Sequence, residues 1–323
     1  MELRDIQRPV AAHLERFEPY FRSSLHSPNP LLTLATNHVF RRKGKQMRPL
    51  LVFLSALSAG GVGDKTYAAA ALIELLHNAS LVHDDVVDET YTRRGQWSLM
   101  GLWGPKVAVL VGDFFLSRGM ELALEGGHHD ILRIVSRAVR DLSEGELRQM
   151  EHARRLDLTE EDYYEVIRQK TATLIEACTR AGGVSAGADE ATVGRLADYG
   201  RNLGLAFQIR DDIFDYTPGG LFGKPALNDV KEQKVTLPLL AALRQAPAAR
   251  RNALRAMIRR DPKDDKTADE ALRIVREFGG MDYAQGRISH FAGLAKEALG
   301  GLPDSEARAA LEMLVDYNTA RKI

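Results

Sequence analysis

Two apolar helical stretches in this chain end in the same acidic pattern, and that duplication limits what the chain can become. The first, LIELLHNASLVHDDVVDETYTRR over 72–94, closes on Asp84, Asp85 and Asp88 and then on Arg93 and Arg94. The second closes on Asp211, Asp212 and Asp215, within Gln208-Ile209-Arg210-Asp211-Asp212-Ile213-Phe214-Asp215. Residues four apart project from one face of a helix, so Asp84 stands over Asp88 and Asp211 over Asp215. Like charges stacked this way repel, and a cation between them relieves the repulsion. Carboxylate oxygens suit a hard ion such as Mg²⁺, which takes one or two protein carboxylates plus waters and substrate phosphates. One such cluster is as readily a solvated helix end. Two of them inside apolar helices point to a metal cage for a polyanion.

Helix-type periodicity runs through the rest of the chain, and strand-like alternation is almost absent. The predicted helices cover 1–25, 31–42 and 50–59, with Gly60-Gly61 ending the third. Asp64 is read as the cap of the helix that carries the first cluster. Helices follow over 105–126 and 129–155. Thr159, helped by Glu161 or Asp162, starts another that runs to Gly182-Gly183, and 190–216 carries the second cluster. Residues 217–234 lack periodicity; a long loop beside a metal cluster, with two lysines in it or at its edge, reads as a lid. Helix resumes at Leu237 and runs on to Ile323.

No linker-like tract interrupts the 323 residues, of which 45% are hydrophobic, so the expectation is one all-α domain over 1–323. Lys plus Arg and Asp plus Glu are equal at 44 each, so no global basic field draws nucleic acid or an anionic membrane. The single Cys178 excludes an internal disulfide and a cysteine-rich metal site, in keeping with a reducing cytosol. The start, MELRDIQRPV, lacks the apolar core of a signal peptide. No apolar run of about 18 residues is apparent, and the reading is a soluble, cytoplasmic protein.

An acidic cage implies an anion, and an anion calls for cations. Gly44-Lys45-Gln46-Met47-Arg48-Pro49 supplies two at a predicted helix start, where free backbone N–H groups favour anions. Arg93 and Arg94 follow the first cluster, Lys170-Thr171 lies in an otherwise apolar helix, and Lys224 and Lys234 sit in or beside the expected lid. Each alone is ordinary surface charge. Around two acid clusters the set reads as clamps for diphosphates, arginine gripping oxygens in pairs and lysine acting as a point charge.

In their order these motifs resemble the trans-isoprenyl diphosphate synthases, or polyprenyl synthetases. They are Gly44-Lys45-x-x-Arg48-Pro49, Asp84-Asp85-x-x-Asp88 with Arg93-Arg94, Lys170-Thr171 and Phe207-Gln208-x-x-Asp211-Asp212-x-x-Asp215. Gly223-Lys224-Pro225 and Lys234-x-Thr236-Leu237-Pro238 continue the series. The likeness implies an antiparallel all-α bundle around a deep central cavity, a homodimer, and about three Mg²⁺ ions with substrate bound. It implies that Lys45, Arg48, His77 and Arg94 bind isopentenyl diphosphate. Asp84, Asp88 and Asp211 correspond to direct metal ligands, supported by Asp85, Asp212 and Asp215. Arg93, Lys170, Gln208 and Lys234 correspond to contacts with the allylic diphosphate, and Thr171 to an acceptor of carbocation character. Relatives often carry a glycine just before the lysine matching Lys234; here Gln233 stands there.

The implied chemistry is loss of diphosphate from the allylic substrate, attack by isopentenyl diphosphate, and proton loss to the departing diphosphate, adding one isoprene unit. His83 is a candidate shuttle, though a structural histidine is the plainer reading. A terpene cyclase shares the acid clusters but has no use for a second diphosphate site, and an inactive subunit of a heteromeric synthase has no need of both clusters. Product length is read from the first cluster's helix. Counting back by fours from Asp88 gives Asp84, Ser80, Leu76 and Leu72 as one stripe, with Ala79 and Ile73 at its edges and Leu147 or Met150 as a possible floor. Relatives with short products tend to place aromatics at the positions of Ala79 and Ser80. Small residues there predict an open shaft and an all-trans product of hexaprenyl to decaprenyl length, of the kind found in quinone side chains; a farnesyl or geranylgeranyl product is the alternative.

Overall fold

A computed structural model describes residues 2–41, 44–93, 95–155, 158–216, 235–259 and 265–320. Among these the fold is all-α except for one hairpin. In chain order the elements are α1 (Leu3–Gln7), a 3₁₀ turn (Arg8–Val10), α2 (Ala11–Ser24), α3 (Pro30–Val39), α4 (Met47–Ser58) and α5 (Asp64–Val87). Strands β1 (Thr92–Arg93) and β2 (Gln96–Trp97) pair antiparallel, with Arg93 opposite Gln96. Then come α6 (Leu99–Glu125), α7 (His129–Arg155), α8 (Glu160–Ile167), a π turn (Arg168–Ala172), α9 (Thr173–Ser185) and α10 (Glu190–Asp215). Helices α11 (Leu237–Gln245), α12 (Ala248–Arg259), α13 (Asp265–Glu277), α14 (Gly280–Leu299) and α15 (Glu306–Thr319) complete the chain.

The local signals explain both the agreements and the departures. Thr159 caps α8 as expected: its Oγ1 accepts from the Asp162 N–H at 3.1 Å, and the Asp162 carboxylate accepts from the Thr159 N–H at 3.0 Å. Asp64 does not cap α5. Gly63 holds that position, its N–H donating to Thr66 Oγ1 at 3.1 Å, and Asp64 is the first helical residue. The first predicted helix is broken at Arg8-Pro9-Val10, because proline carries no N–H for the next turn. Gly182-Gly183 lies inside α9 rather than ending it. A Cβ at Gly182 would stand 2.5 Å from the Val52 carbonyl oxygen, so this glycine lets α9 press against α4.

Backbone contacts divide the chain into two compact units. The first comprises Met1–Val139, Leu174–Ala197 and Gly301–Met313. Helix α4 is its buried centre: Leu50 to Ala56 are all at most 3% exposed. Phe17, Phe53 and Tyr67 form an aromatic cluster with ring centroids 5.0–5.7 Å apart. Helix α5 lies against α6, where a Cβ at Gly119 would meet Leu72 Cδ1 at 2.8 Å and one at Gly112 would run into the His83 ring.

The second unit comprises Arg140–Thr173, Asp198–Gly300 and Leu314–Ile323. Its core gathers Tyr163 and Ile167 with Leu205, Ile209 and Ile213 of α10, Leu237 of α11, and Ile288 and Phe291 of α14. A neighbouring cluster joins Tyr216, Leu239, Leu254, Ile274 and Val275. Each large apolar side chain withdrawn from water contributes about 1.5–3 kcal/mol, which holds these helices far more firmly than propensity alone.

One helix corrects the sequence reading. By length and composition α6 is apolar enough to cross a membrane. Lys106 and Asp113 interrupt the run without outweighing the leucines, valines and phenylalanines around them. Within the chain it is poorly covered: Leu110 is 66% and Leu124 52% exposed, and Leu102, Val109 and Met120 are exposed too.

Candidate active site

Each acid cluster sits at the C-terminal end of its helix, where the partial negative charge of the helix dipole adds to the carboxylates and deepens the attraction for a cation. In the first unit Asp84 is half-buried within α5 and Asp88, the residue capping the helix end, is exposed. Asp85 differs from both. It is 5% exposed, and Arg93 Nε donates to its Oδ1 at 2.7 Å. Burial pushes the Asp85 carboxyl up, with Asp88 adding to the effect, while Arg93 pulls the other way.

Arg93 reaches Asp85 because the chain folds back in the β1–β2 hairpin, whose turn needs a left-handed Gly95 (φ 73°). Ser98 then secures the exit, donating to the Thr90 carbonyl at 2.6 Å and accepting from the Gly101 N–H at 3.0 Å. A guanidinium has five N–H donors, and this contact uses one of them.

Lys45 and Arg48 lie where the sequence put them, Lys45 exposed before α4 and Arg48 in its first turn. Helix α5 brings Glu74 into the charge field of Arg48. Burial pushes the Glu74 carboxyl up; Arg48 and a contact from Asn78 pull it down. His77, half-buried, lies on α5 between Glu74 and the acid cluster. Cys178 is buried and its thiol is pushed up to about 12, mainly by desolvation, so it offers no thiolate near neutral pH.

The second unit holds Lys170 and Thr171 on the π turn. Such a turn departs from α-helical hydrogen bonding and is frequent at functional positions. Two glycines make room for it: a Cβ at Gly145 of α7 would lie 2.8 Å from Gln169 Cβ, and one at Gly204 of α10 would lie 2.6 Å from Ala172 Cα. Lys170 Nζ bridges Glu146, at 2.7 Å, and Gln149, at 3.3 Å. Thr171 Oγ1 donates to Gln208 Oε1 at 2.6 Å, and Gln208 Nε2 donates to Asp212 Oδ1 at 2.9 Å.

Asp212 is 5% exposed, like Asp85, but its second oxygen takes a hydrogen bond from the fully buried Tyr163 hydroxyl at 2.6 Å. Burial, then the Asp212 charge, pushes that hydroxyl well above its ordinary value. A cavity of about 220 Å³ opens beside this line, its polar wall formed by Gln149, His152, Lys170, Thr171, Gln208 and Asp212.

Asp211 and Asp215 are half-buried. Asp211 is approached at 2.9 Å by Arg210, whose other nitrogen is tied to Asn318 of α15 and whose charge stacks 4.7 Å over the Phe207 ring. Where the chain leaves α10 and returns, Tyr216 and Thr236 bring their hydroxyls within 2.5 Å.

Other placements sharpen the sequence reading. His83 lies 3.5 Å from Asp113 and against α6. Arg94, Lys224 and Lys234 lie outside the described residues, as does the expected lid. The stripe counted back by fours does not hold: each step turns the helix about 40° further, so Leu72 faces roughly 160° away from Asp88. It packs on Gly119 instead. Ala79 is fully buried on that same α6-facing side, Leu76 is 4% exposed, and Ser80 is half-buried with its hydroxyl donating to the His77 carbonyl at 2.9 Å. Leu147 is 68% exposed, unlike a cavity floor.

Sequence reasoning missed Tyr163, Glu146, Gln149 and the two glycines. For Tyr163 a signal existed: it precedes Lys170 by seven residues, two turns on one face of a helix.

Among the described residues no three His, Cys, Asp or Glu donors gather closely enough to hold a metal by themselves. The donors are all hard oxygens, however, and Asp85 and Asp212 are held back by their own partners. That set fits an ion that arrives with a diphosphate and completes its shell from it.

A sequence profile of the family described as polyprenyl synthetase matches residues 29–275. The chain belongs to this family. It is 36% identical to the short chain isoprenyl diphosphate synthase of Methanothermobacter thermautotrophicus, covering 100% of this chain and 99% of that one. It is also 36% identical to the octaprenyl diphosphate synthase of Haemophilus influenzae, covering 99% and 98%. A crystal structure of a polyprenyl synthase from Caulobacter crescentus CB15, complexed with calcium and isoprenyl diphosphate, matches with a TM-score of 0.91 at 35% identity, over 100% of this chain and 98% of that one. Membership in the polyprenyl synthetases makes the chain a prenyltransferase of all-α fold.

Proposed function

We infer that this chain condenses isopentenyl diphosphate with an allylic diphosphate and releases a long all-trans polyprenyl diphosphate, hexaprenyl to decaprenyl. The observation that carries the reading is the pair of acid clusters, each with outer carboxylates on one helical face and the middle one buried and bonded. Asp84, Asp88 and Asp211 serve as direct ligands of Mg²⁺, and Asp85, Asp212 and Asp215 support them. Mg²⁺ bound there supplies charge stabilisation to the departing diphosphate. Around it the chain's own residues bind and orient. Lys45, Arg48, His77 and Arg94 hold isopentenyl diphosphate; Arg93, Lys170, Gln208, Lys224 and Lys234 hold the allylic diphosphate. Thr171 presents an oxygen to the developing carbocation, and the departing diphosphate takes the proton.

Chain length follows from the small residues before the first cluster. Ser80 stands one turn before Asp84, with Ala79 beside it and Leu76 a turn further back, so the growing tail meets a hydroxymethyl group and not a ring. The Haemophilus octaprenyl synthase supports a long product, and the Methanothermobacter relative, at equal identity, supports the short-chain alternative. Ser80→Phe is expected to cut the product to farnesyl or geranylgeranyl length with the first condensation intact. Ala79→Phe is expected to shorten it too, at an additional cost of about 1–3 kcal/mol from overpacking against α6. Mass analysis of both variants checks this, and an unchanged product distribution in both places the shaft elsewhere.

We also propose that it works in the cytoplasm as a homodimer, the exposed leucines and valines of α6 meeting those of a second copy rather than lipid. Sedimentation without detergent is expected to give twice the chain mass.

A further inference from the structure

Four side chains of the second unit form an unbroken line of hydrogen bonds. Tyr163 donates to Asp212 Oδ2, Gln208 Nε2 to Asp212 Oδ1, and Thr171 Oγ1 to Gln208 Oε1, at 2.6, 2.9 and 2.6 Å. Chemistry alone dictates their direction. An ionised carboxylate only accepts, so the Gln208 amide has to turn its nitrogen to Asp212. Its oxygen then faces Thr171 and draws the hydroxyl hydrogen onto itself. A hydroxyl has one hydrogen and two lone pairs, so Thr171 is left with lone pairs for the 220 Å³ cavity that it lines. With the amide reversed, Thr171 would accept from nitrogen and aim its hydrogen at the cavity, where it would repel a cation.

We propose that Tyr163 is a positioning residue for prenyl transfer: by pinning Asp212 it holds the carboxylate where that carboxylate sets the polarity of Gln208, and so keeps Thr171 an electron-pair donor toward the allylic carbocation. Tyr163 is 2% exposed and its ring is packed among Ile167, Ile209 and Ile213. Burial of the ring leaves its hydroxyl little solvent to turn to, so the bond to Asp212 is held with few competitors. The inference rests on the proposed function, since it gives Thr171 a cation to face.

The plainer reading makes Tyr163 a core tyrosine with a satisfied hydroxyl. Two measurements separate them. The first is a double-mutant cycle on the Mg²⁺-loaded enzyme. Tyr163→Phe is expected to lower kcat about 10- to 100-fold, the scale of one hydrogen bond to a charged group, with KM for both diphosphates within about twofold. In a Thr171→Val background Tyr163→Phe should cost nothing further, whereas with Thr171→Ser, which keeps the hydroxyl, it should cost its full factor. The second needs no turnover. Calorimetry with an ammonium analogue of the allylic cation plus inorganic diphosphate should show Tyr163→Phe weakening the analogue about 10- to 100-fold. Binding of an uncharged allylic thiolodiphosphate should hold.

Gln208→Leu, which cuts the line at its centre, should show the same loss of discrimination and serves if Tyr163→Phe does not fold. Independent, multiplying effects of Tyr163→Phe and Thr171→Val, or equal losses on cationic and uncharged analogues, overturn the proposal. A wild-type enzyme that turns over no prenyl diphosphate overturns the proposed function instead, and the analogue comparison still reads the line by itself.

Discussion

The two acid clusters share a sequence pattern and differ in how the protein holds them. In both, the middle aspartate is 5% exposed, while the outer ones are half-buried or, for Asp88, exposed. Asp85 is held by Arg93, a cation only eight residues away, on a two-residue hairpin, whose side chain is 38% exposed. Among the described residues Asp212 accepts from two neutral donors, one from its own helix and one from Tyr163, 49 residues earlier. Its arginine, Arg210, is 5% exposed, fixed to Asn318, and spends its charge on Asp211. The first cluster is thus tied by a local, partly solvated ion pair, and the second by a buried network that spans the fold of its unit. Substrate can displace Arg93 at small cost. It has to take the second cluster as built.

The largest effects should ignore this difference. Asp84→Ala and Asp211→Ala are each expected to lower Mg²⁺-dependent turnover by several orders of magnitude, because both remove an outer ligand. Asp84→Ala should leave the fold intact, since it relieves like-charge repulsion, whereas Asp211→Ala also takes the carboxylate from the buried Arg210 and is expected to cost stability. Product formation and circular dichroism check the pair, and near-normal activity in either folded variant removes that cluster from the site.

The middle positions should separate the two. Asp212→Asn replaces a buried, charged acceptor of two hydrogen bonds by a neutral amide and forces one partner to reverse, an expected loss of about 1–3 kcal/mol. Asp85→Asn gives up a pair whose arginine is partly solvated but also removes a charge that burial disfavours, an expected change of under about 1 kcal/mol in either direction. Urea unfolding measures both, and equal losses erase the distinction. The pH dependence adds a sign. Burial raises the folded-state value of Asp85, so the folded protein binds its proton more readily than the unfolded chain does. Its contribution to stability is therefore greatest at low pH and falls as pH rises from the ordinary carboxylate value through the raised one. The stability of wild type relative to Asp85→Asn should decline over that interval, and a rise would contradict the burial account.

How much of this was legible follows from how local each signal is. The helix ends at Thr159 and Gly60-Gly61, the two Asp patterns and the Lys170-Thr171 pair all lie within a few residues of chain, and the sequence carried them. The partners of Asp212 and Lys170 lie on other helices, and no spacing rule reaches from Tyr163 to Asp212 or from Glu146 to Lys170. The π turn was hidden because it reads as continuous helix; what admits it is the absence of a Cβ at Gly145 and Gly204, two glycines that sequence alone ranks as weak helix positions. The stripe from Asp88 to Leu72 failed for a simpler reason: 3.6 residues per turn do not divide into fours.

A smaller effect tests that hidden turn. Gly145→Ala and Gly204→Ala are expected to cost about 1–3 kcal/mol as the turn is pushed from its seat. They should lower turnover more than isopentenyl diphosphate binding, because Thr171 moves while Lys45 and Arg48 do not. Equal losses in the two would detach the turn from the chemistry.

The central claim, a metal-dependent long-chain prenyl transfer, is tested most directly by mass analysis of what the purified chain makes from isopentenyl diphosphate and an allylic diphosphate, with Mg²⁺ and with a chelator. The account expects all-trans polyprenyl diphosphates of hexaprenyl to decaprenyl length with Mg²⁺ and none with the chelator. A product stopping at geranylgeranyl or shorter, a cyclised hydrocarbon, or elongation that survives chelation would contradict it.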